Sequence, residues 1–140
     1  MPSPADAPRR SAPRVLVAED DAEMRRLVAE TLRRAGLDVT EACDGGRLLV
    51  QIGRAYKEGD ASHAFDLIVS DIRMPICSGI QILRGLREAH WRTPIIMMTA
   101  FGDDDTRRSA EALGAILFDK PFELAELSAE ACRVLRWPSA

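Results

Sequence analysis

The sequence predicts an α/β fold in which a five-stranded, doubly wound parallel sheet carries helices on both faces. Short apolar runs of strand length alternate with segments whose apolar residues recur at helical spacing, and this unit repeats five times. Residues 67–69 and 95–98 are apolar throughout, which is typical of parallel strands buried on both faces. Strict alternation of strand and helix requires crossover connections, so the strands are predicted to run parallel.

The bulk composition indicates one packed domain. The chain has 140 residues, of which 46% are hydrophobic and 29% charged, values that suit a globular core. Residues 1–13 are rich in Pro, Ala and Ser without periodicity, which predicts a disordered N-terminal extension before a domain at residues 14–137. The few residues after the last predicted helix are too short for a DNA-binding module, so no output domain is expected.

Charge, apolar run length and cysteine content exclude several classes of protein. The net charge is −3 and the basic residues are interspersed with acids, so direct nucleic-acid binding is not expected. The apolar runs are far shorter than the roughly 20 residues of a membrane helix. Cys43, Cys77 and Cys132 lack the spacing of a metal site or a disulfide framework, and they fit a cytoplasmic protein with small buried thiols.

Each predicted element follows from local pattern. Aliphatic and β-branched runs predict strands at residues 15–18, 38–42, 65–70, 95–98 and 116–118. Helical spacing predicts helices at about residues 24–35, 45–57, 103–113 and 122–135, and a further helix that carries Ile82, Leu83 and Leu86 after a loop through Gly79. Gly36 and Gly114 supply helix stops, and a polar loop is predicted at residues 57–63. In the second helix, Leu48, Leu49 and Ile52 are predicted to face inward.

Polar side chains follow most of the predicted strands. They are Glu19, Asp20 and Asp21 after the first strand, Asp71 after the third, Thr99 after the fourth and Lys120 after the fifth. Sites in open parallel sheets lie at the carboxyl ends of the strands, so these side chains are expected to converge. Carboxylates forced together must share protons or bind a cation, and an all-oxygen cluster favours Mg²⁺.

Four motifs, in this order, resemble those of the receiver domains of two-component response regulators. They are VLVAEDD at residues 15–21, LIVSDIRMP at 67–75, IIMMTA at 95–100 and DKPF at 119–122. The resemblance extends from residue 14 to about residue 135. It implies the flavodoxin-like strand order 2-1-3-4-5.

The resemblance also implies a role for each site residue. Asp71 corresponds to the phosphoacceptor, Thr99 to the switch hydroxyl, and Lys120 to the site lysine, whose bond to Pro121 is usually cis. Mg²⁺ is implied to bind Asp20, Asp71 and the backbone carbonyl of Arg73, with Glu19 acting through water.

The resemblance implies a phosphorylation-activated switch. Such a protein is not expected to be an enzyme, except that it catalyses its own phosphorylation and dephosphorylation. Its expected partners are a sensor histidine kinase or histidine phosphotransfer protein and a downstream protein target, with phosphorylation-dependent dimerisation a further expectation. Two alternatives are a pseudo-receiver that binds partners without phosphorylation and a Mg²⁺-dependent phosphate-ester hydrolase. A hydrolase would need a general acid or base near Asp71, and Ile72 and Arg73 offer none.

Some assignments stay open at the level of sequence. Asp21 fits a helix cap as well as a metal site. Leu117 stands three residues before Lys120, where receiver domains usually have an aromatic residue, whereas Phe118 is one place later. Gly114 is also one residue closer to Lys120 than usual, and the stretch between Asp20 and Asp71 is longer than usual.

Overall fold

A computed structural model describes residues 11–57, 65–100 and 104–138, in which five strands alternate with five helices. The strands are β1 (Arg14–Ala18), β2 (Asp38–Ala42), β3 (Leu67–Asp71), β4 (Ile95–Thr99) and β5 (Ile116–Asp119). The helices are α1 (Ala22–Arg34), α2 (Gly45–Lys57), α3 (Gly79–Glu88), α4 (Asp104–Ala112) and α5 (Leu124–Leu135). None of the helices in these ranges combines the length and apolarity needed to cross a bilayer.

The five strands form one parallel sheet in the order β2-β1-β3-β4-β5. The predicted fold class and strand order are therefore confirmed. Every residue of β3 and β4 is buried, as expected for interior strands that are covered on both faces. All five strands point their carboxyl ends to the same edge of the sheet.

Two hydrophobic clusters occupy the two faces of the sheet because successive strand residues point to opposite faces. Leu16 and Ala18 of β1 belong to the cluster that contains the apolar residues of α2, α3 and α4. Val15 and Val17 belong to the cluster that contains those of α1 and α5. The helices thus cover both faces of the sheet, and the edge at the carboxyl ends of the strands is left for a site.

The structure corrects several sequence predictions. β3 begins at Leu67 rather than residue 65, and α5 begins at Leu124 rather than residue 122. Leu49 was predicted to face inward but is 46% exposed, because it lies one residue past the inward-facing Leu48. Of the three cysteines, only Cys132 is buried; Cys77 is half-buried and Cys43 is exposed. Of the polar loop predicted at residues 57–63, Lys57 is the last residue of α2, and residues 58–63 lie outside the described residues.

Candidate functional site

Residues Glu19–Asp21, hereafter the acidic loop, join β1 to α1. The Glu19 amide donates a hydrogen bond to the Ala42 carbonyl of β2 at 3.1 Å, and the Glu19 side chain is buried. Asp20 is exposed. Asp21 is the N-cap of α1, since its Oδ1 accepts from the Met24 amide at 2.9 Å. The structure therefore assigns Asp21 to capping, one of the two roles that the sequence left open.

Asp71 is the last residue of β3 and lies at the centre of the carboxyl edge. The Arg73 amide donates to Asp71 Oδ1 at 3.2 Å, which turns the following loop back towards the carboxylate. Gly79 opens α3 directly behind this loop, and its amide donates to the Ile72 carbonyl at 2.8 Å. A Cβ atom at Gly79 would lie 2.3 Å from the Asp71 carbonyl oxygen, so this approach requires glycine.

Lys120 joins the two buried carboxylates. Its Nζ lies 2.6 Å from Glu19 Oε1 and 3.0 Å from Asp71 Oδ2. The Lys120 amide donates to the Thr99 carbonyl at 2.7 Å, and the Lys120–Pro121 peptide bond is cis, as the resemblance implied. The first, third and fifth strands therefore each bring one charged side chain to the same point.

Thr99 ends β4 beside this cluster. Its side chain is buried, and its hydroxyl donates to the Ala100 carbonyl at 3.0 Å. The hydroxyl is thus engaged locally, and rotation about its side-chain torsion is needed before it can donate to another acceptor.

Burial and ion pairing act against each other in this cluster. Burial raises the pKa of Glu19 to about 7, against the opposing effect of Lys120. Burial alone would lower the pKa of Lys120, but its hydrogen bonds to Glu19 and Asp71 outweigh that effect and raise it. Lys120 therefore stays a cation in contact with both carboxyl groups.

The residues present fit a small divalent cation. Glu19, Asp20 and Asp71 each offer a carboxylate oxygen, and these atoms lie within 4.8 Å of one another. The donor set is all oxygen, and the exposed Asp20 leaves one side open to water, as Mg²⁺ prefers because it keeps part of its hydration shell. Asp71 adds to the effect of burial in raising the pKa of Glu19, and a bound cation would oppose both.

The raised pKa of Glu19 predicts a pH dependence of stability in metal-free buffer. The folded state holds this proton up to about pH 7, whereas an unfolded glutamate releases it near 4.5, so the contribution is present below 4.5 and lost as pH rises through 7. The free energy of unfolding should fall over this window by about 3 kcal/mol on account of Glu19. Denaturant unfolding in EDTA at several pH values measures it. Glu19→Gln should flatten the slope, and equal slopes in both proteins would contradict the assignment.

The structure separates the two candidates for the aromatic position of β5. Leu117 packs against the cluster shared by α2, α3 and α4, whereas Phe118 packs against the cluster shared by α1 and α5. Phe118 also contacts Phe122 edge to face, with ring centroids 5.8 Å apart. Leu117 therefore lies on the face of the sheet that α4 covers. The position three residues before Lys120 is thus occupied by an aliphatic rather than an aromatic side chain.

Sequence reasoning missed two arginines near the site. Arg25 of α1 donates to the Glu19 carbonyl, and Arg107 of α4 pairs with Asp119, the residue before Lys120. Arg25 lies near the N-terminus of α1, where the helix dipole disfavours a cation, so its position was a signal that it serves another contact. No comparable signal marked Arg107.

Comparison with known proteins agrees with this geometry. The family model described as the response regulator receiver domain matches residues 15–131. The chain belongs to the receiver domain family. It is 37% identical over 126 residues to the transcriptional activator protein PfeR of Pseudomonas aeruginosa. That match covers 89% of this chain but 38% of PfeR, so the receiver domain spans well under half the length of this relative.

Solved structures resemble the receiver domain in fold and length. The receiver domain of Francisella response regulator 1452 is 28% identical with a TM-score of 0.75, covering 89% of this chain and 97% of that one. The chemotaxis protein CheY4 of Vibrio cholerae is 30% identical with a TM-score of 0.72, covering 88% and 98%. Receiver domains are signalling modules rather than ordinary enzymes, and they bind Mg²⁺ at an acidic pocket.

Proposed function

We propose that this receiver domain accepts a phosphoryl group on Asp71 from the phosphohistidine of a sensor histidine kinase or a histidine phosphotransfer protein. The observation that carries the proposal is the position of Lys120 Nζ, in contact with both Glu19 and Asp71 at the carboxyl edge of the sheet. An Asp71 oxygen attacks phosphorus and the P–N bond breaks. The departing imidazole keeps the electron pair of that bond and takes up a proton from solvent, and an aspartyl phosphate remains.

Each neighbouring group has a separate task in this reaction. Lys120 supplies a compact cation that can move from the Asp71 carboxylate to a phosphoryl oxygen. Thr99 can donate its hydroxyl to a second phosphoryl oxygen after rotating away from the Ala100 carbonyl. Glu19, Asp20, Asp71 and the backbone carbonyl of Arg73 would hold Mg²⁺. When bound, the ion neutralises charge between the nucleophile and the incoming phosphate.

The proposed output is a changed protein-binding surface. Thr99 and Lys120 delimit the segment that contains α4 and β5, so contacts from both to one phosphoryl group would pull on its two ends. The ion pair between Arg107 and Asp119 links α4 to the residue before Lys120 and would transmit that movement. A downstream protein, or a second copy of this chain, would read the altered surface, without direct contact to nucleic acid.

Two alternatives fit the site less well. A phosphate-ester hydrolase needs a general acid or base at the attacking water, and Ile72 and the exposed Arg73, which follow Asp71, provide neither. A pseudo-receiver has no need of the charged contacts among Glu19, Asp71 and Lys120, which cost desolvation energy to maintain. The phosphorylated switch uses all of them.

Incubation with acetyl phosphate and Mg²⁺, followed by intact mass measurement, tests the proposal. One phosphoryl group per chain should appear, and EDTA should prevent it. Continuous release of inorganic phosphate from stable phosphate esters would instead support the hydrolase. An unlabelled protein that still binds partners would support the pseudo-receiver.

Asp20→Ala should weaken Mg²⁺ binding at least about tenfold, because it removes a direct oxygen ligand. Asp21→Ala is the matched control, since it removes the adjacent carboxylate and costs only the α1 cap, about 1 kcal/mol of stability. Mg²⁺ titration followed by amide chemical shifts measures both affinities. Equal losses of Mg²⁺ affinity in the two variants would contradict the assignment of Asp20, rather than Asp21, as the ligand.

A further inference from the structure

We infer that Arg25 is a positioning residue that holds the acidic loop in the geometry that binds Mg²⁺; this inference rests on the proposed function. Among the described residues, the hydrogen bond and ion pair of the Arg25 side chain go to Glu19 and Glu41 rather than to Asp71 or Lys120. Its Nη1 donates to the backbone carbonyl of Glu19 at 2.9 Å, within the stretch of chain that joins the two acidic side chains Glu19 and Asp20.

The contact fixes the peptide plane between Glu19 and Asp20. On one side of Glu19, its amide is held by the Ala42 carbonyl at 3.1 Å. On the other side, its carbonyl is held by Arg25, and because Glu19 is fully buried this carbonyl would otherwise lack a partner among the described residues. The direction in which Asp20 leaves the backbone therefore depends on Arg25.

Arg25 is itself held by β2. Its Nε lies 3.5 Å from Glu41 Oε1, and Glu41 Oε2 lies 3.1 Å from Arg33 Nη1. Arg33 Nη2 also donates to the Val39 carbonyl at 3.1 Å. The Arg25 side chain is only 19% exposed, so this network is partly protected from solvent and gives the guanidinium one defined orientation.

A positioning role and a purely electrostatic role for Arg25 predict opposite changes in Mg²⁺ affinity when Arg25 is removed. A cation near a Mg²⁺ site repels the ion, so if Arg25 acted only through its charge, its removal would tighten Mg²⁺ binding. If Arg25 orients the ligands, its removal weakens binding although the repulsion has been relieved. The sign of the change in affinity therefore separates the two roles.

The experiment compares Arg25→Met with Arg26→Met, using Mg²⁺ alone as the probe and amide chemical shifts as the readout. Both variants lose one positive charge from α1, but Arg26 is exposed and its side chain makes no ion pair or hydrogen bond with the described residues. Arg25→Met should weaken Mg²⁺ binding about tenfold, as loss of outer-shell support does. Arg26→Met should stay within about twofold of wild type because an exposed charge is screened.

Two further variants keep the result clear if Arg25→Met folds poorly. Arg25→Lys retains the charge and one donor and should restore part of the affinity, and Glu41→Gln loosens the anchor and should weaken binding in the same direction but less. Phosphorylation of Arg25→Met at saturating Mg²⁺ should approach the wild-type rate. Unchanged or tighter Mg²⁺ binding in Arg25→Met would overturn the inference, whereas a wild-type protein that binds Mg²⁺ but takes no phosphoryl group would overturn only the proposed function.

Discussion

Asp71→Asn should abolish acquisition of the phosphoryl group from acetyl phosphate. The amide is close in shape to the carboxylate, but its oxygen is a poor nucleophile and carries no charge for Lys120 or Mg²⁺. No label is therefore expected after incubation times that saturate the wild-type protein.

Asp66→Asn is the matched control for this experiment. Asp66 is exposed and precedes β3, so the same change of charge is made at the opposite end of the strand that carries Asp71. Asp66→Asn should be labelled to the wild-type extent, and both variants should unfold cooperatively. Intact mass measures the label. Equal labelling of Asp71→Asn and wild type would mean that another residue is the acceptor.

Gly79→Ala should destabilise the fold by about 2 kcal/mol or more, the cost expected of overpacking against backbone. The added Cβ would lie 2.3 Å from the Asp71 carbonyl oxygen and 3.1 Å from Ser70 Oγ, so β3 and α3 must separate. Because the clash is with the backbone of Asp71, the variant should also lose Mg²⁺ affinity. Denaturant unfolding measures the first effect and Mg²⁺ titration the second.

Gly85→Ala, on the same helix, should raise the free energy of unfolding rather than lower it. Gly85 is exposed, and a Cβ atom built there meets nothing within 4 Å, so the substitution adds helix propensity without a clash. A gain of about 0.5–1 kcal/mol is expected. If the two alanine variants changed stability equally, the close approach of Gly79 to the Asp71 carbonyl would not be what distinguishes the two positions.

The general position of the site could be predicted because it depends on topology more than on detailed packing. Glu19, Asp71, Thr99 and Lys120 each lie at or just beyond the end of a strand, and parallel strands bring such positions to one edge. The contact between Lys120 and Glu19 joins residues 101 positions apart, yet it follows from the order of the strands. Side-chain pairing within that edge could not be predicted in the same way, and so the role of Asp21 stayed open.

By itself, the sequence determined the alternation of strands and helices, the parallel sheet and the edge that carries the acidic residues. These features follow from the spacing of apolar residues along each segment and from the length of the apolar runs, both of which are visible in the sequence. Only the tertiary structure decided that Gly79 is closely packed while Gly85 is free, that Phe118 faces α5, and that Arg25 supports Glu19. Each of these depends on which distant backbone or side chain a residue meets, and residues of the same type in one helix are indistinguishable until that neighbour is known.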